Sequence, residues 1–374
     1  LLCVFPVAFR RGFPINSLIN DLIGKKVFPG IAVLAGRDLD ILFEHHAGFR
    51  SLTPLSEPLT SETLFDTASL TKPLVTGLLT AILMDRNQLH LQDPVARFLP
   101  EFPNPDITIH HLVTHTSGTP DWHPMYLENR PYLETLIRMA RSVRPGRRVE
   151  YSCPGFILLF HVLEKITGHD LLAVASREIF SPLGLENTFL KVPINRHPHC
   201  AATETGNAYE RELVRKRFPH LLKRDFSWRT EVIQGETHDL NAHFMGGFAG
   251  NAGLFSTARD LFRLSAEFLP RTATLIRGNT LELFAKNLTP GGLSHRSLGF
   301  KLNSTPLTSA GRGISSAAFG HNGFTGVSLW IDPRSETRYI LLTNRVHPRV
   351  TQLNFNRVRR RLHRALAREI RNAR

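Results

Sequence analysis

Two pairs of β-like runs stand at opposite ends of this chain of 374 residues, and that separation restricts the folds open to it. Near the start, Gly30 to Ala35 (GIAVLA) and Ile41 to Gly48 (ILFEHHAG) flank the turn-like Gly36-Arg37-Asp38, the pattern of an antiparallel hairpin. Near the end, Val327 to Ile331 (VSLWI) and Tyr339 to Thr343 (YILLT) flank Asp332-Pro333-Arg334-Ser335. Between them, apolar residues keep helical spacing from Ser69 to about Arg86, from Phe156 to Ile166 and from Leu171 to Ile179. Strands at both ends with helices between predict an α/β protein: one antiparallel sheet built from the two chain ends, flanked by helices, with an all-helical part beside it and a cleft between. We expect a single domain over residues 1–374, its α/β part about 1–66 and 290–374 and its helical part with loops about 67–289. The polar stretch from about Asn207 to Trp228 lacks periodicity and reads as a surface excursion or lid.

A hydrophobic content of 42% is ample for a core at this length. No run approaches the roughly 18 apolar residues of a membrane-spanning helix, so a soluble protein with no membrane span is expected. Residues 1 to 9 (LLCVFPVAF) are apolar but precede Arg10 and Arg11, the reverse of the order in a secretory signal. Cys3, Cys153 and Cys200 are odd in number and lack a C-x-x-C spacing, which argues against a disulfide framework or a zinc knuckle. A cytoplasmic location fits best, with a periplasmic one following if the N-terminus is incomplete. The net charge of +14 is largely local, because Arg357 to Arg374 holds eight arginines against one glutamate. There Val358, Leu362, Leu366 and Ile370 form the stripe of an amphipathic helix, expected to dock on the core with its basic face solvated. The alternative for that face is contact with nucleic acid or an acidic membrane; no specific nucleic-acid partner is expected.

Three elements carry chemistry. Ser69-Leu70-Thr71-Lys72 is an S-x-x-K at the start of a helical pattern, and residues three apart share a helix face, so the Lys72 amine can approach the Ser69 hydroxyl. A serine is a poor nucleophile until a base takes its proton, and a lysine desolvated beside other cations can lose its own near neutral pH. Pro73 lacks an N–H to bond back to the Ser69 carbonyl and is best tolerated in a first turn, which places Ser69 at the helix N-terminus. Tyr151-Ser152-Cys153 precedes the second helical run; a phenol among cations, with a lowered pKa, can relay protons. His321-Asn322-Gly323 lies ahead of the strand at Val327, where a glycine lets substrate lie along a strand edge.

In this order, 82 and then 170 residues apart, the elements resemble the signatures of the serine β-lactamase and D-alanyl-D-alanine peptidase superfamily. ITIHHLVTHTSG (107–118), SPLGLENT (181–188), GGFAGNAGLFSTARDL (246–261) and FTGVSLWIDP (324–333) resemble its class C β-lactamase and esterase branch. The resemblance implies a β-lactamase/transpeptidase-like fold with an all-helical subdomain, Ser69 as the acylated nucleophile, and Lys72 and Tyr151 sharing proton transfer. It also implies an oxyanion hole at the backbone N–H groups of Ser69 and Phe324, with His321, Asn322 and Gly323 lining the substrate edge. No cofactor is implied.

Two departures from the family pattern bear on substrate. Cys153 stands where the family usually has an asparagine that touches the lysine and the substrate amide, and a thiol is a weak donor and acceptor. His321 stands where peptidases and β-lactamases usually have lysine, which removes a fixed charge for a substrate carboxylate. Both favour small carboxylic esters. A D,D-peptidase or weak β-lactamase is the second reading, and a non-catalytic binding protein on the same fold the third. His111 and His115 lie four apart as helical metal ligands can, but no third ligand or internal glutamate accompanies them, and no metal is expected. His238-Asp239 can face the cleft. The glycines of GGFAGNAG lack the Lys-Ser/Thr of a phosphate-binding loop.

Overall fold

The computed structural model describes residues 15–372 apart from residue 224, so the apolar start, Arg10, Arg11 and Cys3 lie outside the described residues. The N-terminal hairpin is present as β1 (Gly30–Arg37) and β2 (Asp40–Ser51), extended by β3 (Glu57–Pro58). The C-terminal end contributes β7 (Lys301–Leu302), β8 (Phe319–Asn322), β9 (Ser328–Asp332) and β10 (Thr337–Thr343). They form one seven-stranded sheet of order β3-β2-β1-β10-β9-β8-β7. β1 and β10 join the two chain ends, antiparallel, from Ile31 opposite Thr343 to Arg37 opposite Thr337.

Both faces of this central pair are covered, which is why β1 and β10 read as continuous apolar runs. Ile31, Val33 and Ala35 alternate with Ala32 and Leu34, and the two sets enter different cores. The first set meets α1 (Ile15–Gly24) and α11 (Phe355–Asn372), whose stripe Val358, Leu362, Leu366 and Ile370 is buried as its spacing predicts. The second set meets the larger core, which includes α9 (Ala258–Ser265) packed on β1 and β10. This corrects the expected division of the chain at one point: α9 lies in the stretch assigned to the helical part, yet it covers the sheet, because Leu261 and Phe262 give it an apolar face of its own.

The helical part comprises α2 (Leu78–Asp85), α3 (Ile109–Val113), α4 (Tyr132–Ala140), α5 (Cys153–Thr167), α6 (Leu171–Ala175), α7 (Ala208–Arg217), α8 (Leu240–Phe244) and α10 (Gly278–Glu282). A small sheet of β4 (Phe65–Asp66), β5 (Thr188–Phe189) and β6 (Phe255–Ser256), with β6 central, holds the chain just before Ser69. The helical pattern from Ser69 onwards is not one helix: a 3-10 turn at Ala68–Leu70 leads into a π-helical stretch at Lys72–Gly77 and then α2. Pro73 cannot supply the usual bond to the carbonyl four residues back, and the turn opens there. Of the polar excursion, Ala208–Arg217 is helical, and Arg217 clamps its end to Asp121 through Nη1 and Nη2 at 3.0 and 2.7 Å.

One arginine of α11 departs from the solvated basic face expected for it. Arg359 is buried, and its Nη2 donates to the carbonyls of Gly323 at 2.6 Å and Val327 at 2.9 Å, holding the turn between β8 and β9. Burial, with Arg345 nearby, pushes this guanidinium down to about 9. Arg359→Met keeps the bulk but takes the guanidinium bond from both carbonyls, leaving Gly323 only the Gly326 N–H at 3.2 Å and Val327 only the Gly323 N–H at 2.9 Å, and is expected to lower unfolding free energy by about 2 kcal/mol in urea titrations. An unchanged midpoint would show that the turn is held without it.

Candidate active site

Ser69 is carried on a tight turn fixed from three sides. Asp66 Oδ1 accepts the Ala68 N–H at 2.8 Å, and its Oδ2 accepts the His238 N–H at 2.8 Å. The Thr67 N–H and hydroxyl both donate to the Leu254 carbonyl at 2.8 Å. Between them Ala68 is held at φ +48°, a left-handed conformation unfavourable for alanine, which turns the following side chain out of the small sheet.

Lys72 is fully buried, and its amine donates three hydrogen bonds, to Ser69 Oγ at 3.1 Å, to the Asn251 carbonyl at 3.0 Å and to Cys153 Sγ at 3.5 Å. Burial alone would push the amine down. The neighbouring Cys153 and Tyr151, whose ionised forms attract it, carry it above the usual lysine value instead. Tyr151 is raised too, by burial first, although Lys72 and Ser69 both lie close enough to favour its phenolate. Two expectations are thereby corrected. Lys72 is not depressed by neighbouring cations, because its neighbours are a thiol, a phenol and a carbonyl, and Tyr151 is not lowered by cations, because burial outweighs Lys72.

Cys153 opens α5, where Ser152 caps the helix by accepting the Gly155 N–H at 3.0 Å. Cys153 is half-buried at the lysine, in the place expected of it, and burial raises its thiol. Behind Tyr151 stand two groups that sequence reasoning did not connect with it. His115, considered there with His111 as a helical pair, lies beyond the end of α3 at φ +58°; its Nδ1 accepts the Ser152 N–H at 3.0 Å and its ring centroid is 4.6 Å from that of Tyr151. His111 is committed elsewhere, its Nδ1 accepting the Thr108 N–H at 3.1 Å. Arg296, buried, sets its guanidinium 5.8 Å from the Tyr151 ring centroid. Nothing in its local sequence signals that position.

The third element meets the first directly. A Cβ placed on Gly323 would lie 2.5 Å from the Thr67 carbonyl and 3.2 Å from Ala68 Cβ, so only glycine lets the end of β8 approach the nucleophile turn. Phe324 follows, with its ring in the cavity wall. His321 is buried 5.9 Å, ring to ring, from Tyr151, and its Nδ1 donates to the Asn322 carbonyl at 2.8 Å. Burial, then Arg296 and Lys72, hold it well below the usual histidine range, so it is neutral at pH 7. Asn322 departs from its expected role: alternation along β8 turns its side chain away from His321, where Oδ1 accepts from Ser309 at 2.7 Å and Nδ2 reaches Asn356 of α11 at 3.4 Å.

Over Ser69 lies a cavity of about 230 Å³. Its walls include Ser69, Tyr151, Cys153, Trp122, Tyr209 and Phe324, and also Asp66, Glu210, His238 and Asp239. Tyr209, Glu210 and Leu213 come from α7, so the excursion expected to be a lid does roof the site. His238 and Asp239 face the cleft as considered, with His238 Nε2 at 3.0 Å from Glu204 Oε2 and Asp239 capping α8 through the Ala242 N–H at 2.9 Å.

A serine with a buried lysine one turn on, a tyrosine against both, and a glycine-edged strand end beside the cavity form the arrangement of the penicillin-recognising class of serine hydrolases. The family model described as Beta-lactamase matches residues 15–362, and the chain belongs to that family, within the serine β-lactamase and D-alanyl-D-alanine peptidase superfamily. It is 28% identical over 388 residues to a protein of Escherichia coli (strain K12) named "Putative D-alanyl-D-alanine carboxypeptidase", covering 93% of this chain and 86% of that one. Its fold is similar to that of EstCE1, described as a hydrolase with promiscuous acyltransferase activity, with a TM-score of 0.70 at 20% identity over 96% of this chain and 97% of the other. It is also similar to a class C β-lactamase, with a TM-score of 0.68 at 18% identity over 95% and 96% of the two chains.

Gly323→Ala should displace the Ser69 turn and also press on the larger core, since the added Cβ would lie 2.4 Å from Val327 Cγ2. We expect kcat/KM for hydrolysis to fall at least about tenfold, since small misplacements of reacting groups are costly, and the urea midpoint to fall with it. Full activity in the variant would show that the close approach of β8 is dispensable.

Proposed function

We propose that the chain is a serine esterase acting on small carboxylic esters by two-step acyl transfer. The observation that carries this reading is the Ser69 hydroxyl, 3.1 Å from the Lys72 amine, at the floor of a small cavity walled by Trp122, Tyr209, Leu213 and Phe324. The similarity of fold to EstCE1 supports it. So does the thiol of Cys153, which gives a substrate amide a poorer partner than a side-chain amide would.

In the first step Ser69 Oγ attacks the ester carbonyl. Its proton passes to the Lys72/Tyr151 pair, and the carbonyl oxygen, now negative, rests on the backbone N–H groups of Ser69 and Phe324. The C–O bond to the alcohol then breaks, and Tyr151 returns the proton to the departing alkoxide. In the second step water gives a proton to the same pair and its oxygen attacks the acyl-serine; Ser69 recovers its proton as the acid leaves. His321, neutral, spends its Nδ1 hydrogen on the Asn322 carbonyl, which leaves its Nε2 without a proton.

At rest the pair holds one proton too many, because both Lys72 and Tyr151 are raised above their usual values. The reactive form lacks one of them, so kcat/KM is expected to climb with pH between about 6 and 9, with a slope near one in log units and no plateau. A plateau reached near neutral pH would place the base elsewhere. Hydrolysis of p-nitrophenyl butyrate should show an acylation burst in the wild type and fall at least about a thousandfold in Ser69→Ala.

A second reading, peptidase, has Arg296 in its favour. Its guanidinium, behind Tyr151 rather than in the cavity wall, adds positive charge near His321, where the family usually has a lysine, and the Escherichia coli relative bears a carboxypeptidase name. Release of D-alanine from an acyl-D-alanyl-D-alanine peptide, lost in Arg296→Gln, would favour this reading. No release, together with no mass increase of Ser69-bearing protein exposed to penicillin, would leave the esterase.

A further inference from the structure

The protein carries a net charge of +14, yet the cavity over Ser69 is lined by Asp66, Glu210 and Asp239 and by no lysine or arginine. Two of these carboxylates are occupied with holding the fold. Asp66 receives the backbone N–H groups of Ala68 and His238, and Asp239 receives the Ala242 N–H and, at 3.2 Å, the Asn251 amide. Glu210 is different. It is 6% exposed, projects from α7 into the cavity lining, has one oxygen with no hydrogen-bond partner, and has on the other only the Leu240 N–H at a long 3.4 Å.

The cations near it do not answer this carboxyl. Arg229 gives its Nε to Asn207 and its other nitrogens to the Thr237 and His238 carbonyls, with Glu236 at 3.5 Å, and the three hydrogen bonds of Lys72 go to Ser69, Asn251 and Cys153. The Tyr126 phenol lies close enough to ease the charge, but neither it nor the free Glu210 oxygen has a partner in hydrogen-bond geometry. A buried acidic group left with spare acceptor capacity costs free energy unless something else binds there. Burial, with Asp239 adding to it, holds the Glu210 carboxyl well above the usual range, and a cationic guest would supply the countercharge that burial denies it. Trp122, Tyr209 and Phe324 add aromatic surface of the kind that attracts an ammonium group.

We propose that Glu210 is a specificity residue that receives a protonated amine, so that the substrates of Ser69 are aminoacyl compounds: esters or amides whose acyl part carries a free ammonium group. The cavity size places that amine near the scissile bond, because about 230 Å³ has room for only about eight water-sized groups. A long acyl chain with a distant amine does not fit. This rests on the acyl-transfer reading of the site and deepens it, since it names which small acyl groups are taken.

The test separates binding from chemistry. Ser69→Ala protein is titrated calorimetrically at neutral pH with D- and L-alanine p-nitroanilide and with the N-acetyl counterparts, which differ only in the charge on nitrogen and its cap. One enantiomer of the free amine should bind at least about tenfold more tightly than its N-acetyl form, a difference of about 1.4 kcal/mol. That ratio should shrink toward one when Glu210→Gln is added and be partly kept with Glu210→Asp. Equal dissociation constants, tighter binding of the N-acetyl probes, no binding of the free amines, or a preference that survives Glu210→Gln would each overturn the proposal. The ratio in Ser69→Ala needs no change at Glu210, so a misfolded double variant does not protect the idea. Ser69-dependent turnover of p-nitrophenyl butyrate is a separate measurement: selectivity without turnover would keep Glu210 as the amine receptor and remove the chemistry of Ser69 on what it binds, and turnover without selectivity would do the reverse.

Discussion

The amine of Lys72 is the group on which the rest of the structure converges. A fully buried ammonium is costly unless its protons find acceptors, and here the partners come from separate parts of the chain: Ser69 from the turn after β4, Cys153 from the start of α5, and the Asn251 carbonyl from the loop before β6. The loop is shaped to deliver that carbonyl. Thr76, one turn beyond the lysine, donates to the Gly250 carbonyl at 2.7 Å; Gly250 itself sits at φ +75°, with no room for a side chain because a Cβ would lie 2.7 Å from the Phe156 carbonyl. Satisfying one charge thus ties the nucleophile turn, two helices and a glycine loop into a single arrangement.

The same logic sets the protonation states from which chemistry starts. Burial favours the neutral form of every titratable group around Tyr151, and a group keeps its charge where acceptors surround it or where its ordinary value lies far from neutrality. His115 and His321 are therefore neutral, Tyr151 is a phenol, and Lys72 keeps its proton because a thiol, a phenol and a carbonyl surround it. Arg296 stays positive even though burial brings it down to about 10, so the fixed charge beside Tyr151 comes from a residue outside all three sequence elements.

What the sequence made legible follows physical range. The terminal hairpin, the buried stripe of α11 and the S-x-x-K juxtaposition are written in residues a few positions apart, where periodicity and turn chemistry decide the outcome. The family resemblance then carried Tyr151, Cys153, Gly323 and Phe324 to the site, where the structure places them. Arg296, His115 and Glu210 were not legible, since the first two reach Tyr151 and the third reaches the cavity wall through long-range packing that no local pattern encodes. Asn322 was misjudged for a related reason: resemblance gave its position in the triplet, but strand alternation turned its side chain toward Ser309 and Asn356. The π-helical opening after Ser69 was foreshadowed by Pro73, though a missing N–H says only that a bond is lost, not how the turn relaxes.

The arginine-rich C-terminal helix looks from composition like a device for meeting acidic surfaces, and most of its charge does face solvent. Its tie to function runs through one inward residue. Arg359 reaches past the sheet edge to the Gly323 and Val327 carbonyls, and Asn356 reaches Asn322, so α11 grips the β8–β9 turn that stands against the Ser69 turn. His363 adds a third hold, with Nε2 at 2.9 Å from Ser328 Oγ at the start of β9. The strand end bordering the cavity is thus positioned from behind by the last helix and from in front by Thr67 and Ala68. A sheet assembled from both chain ends gives such a site its rigidity, because the Gly323–Phe324 side and the Ser69 side cannot move apart without breaking the packing of the terminal helix as well.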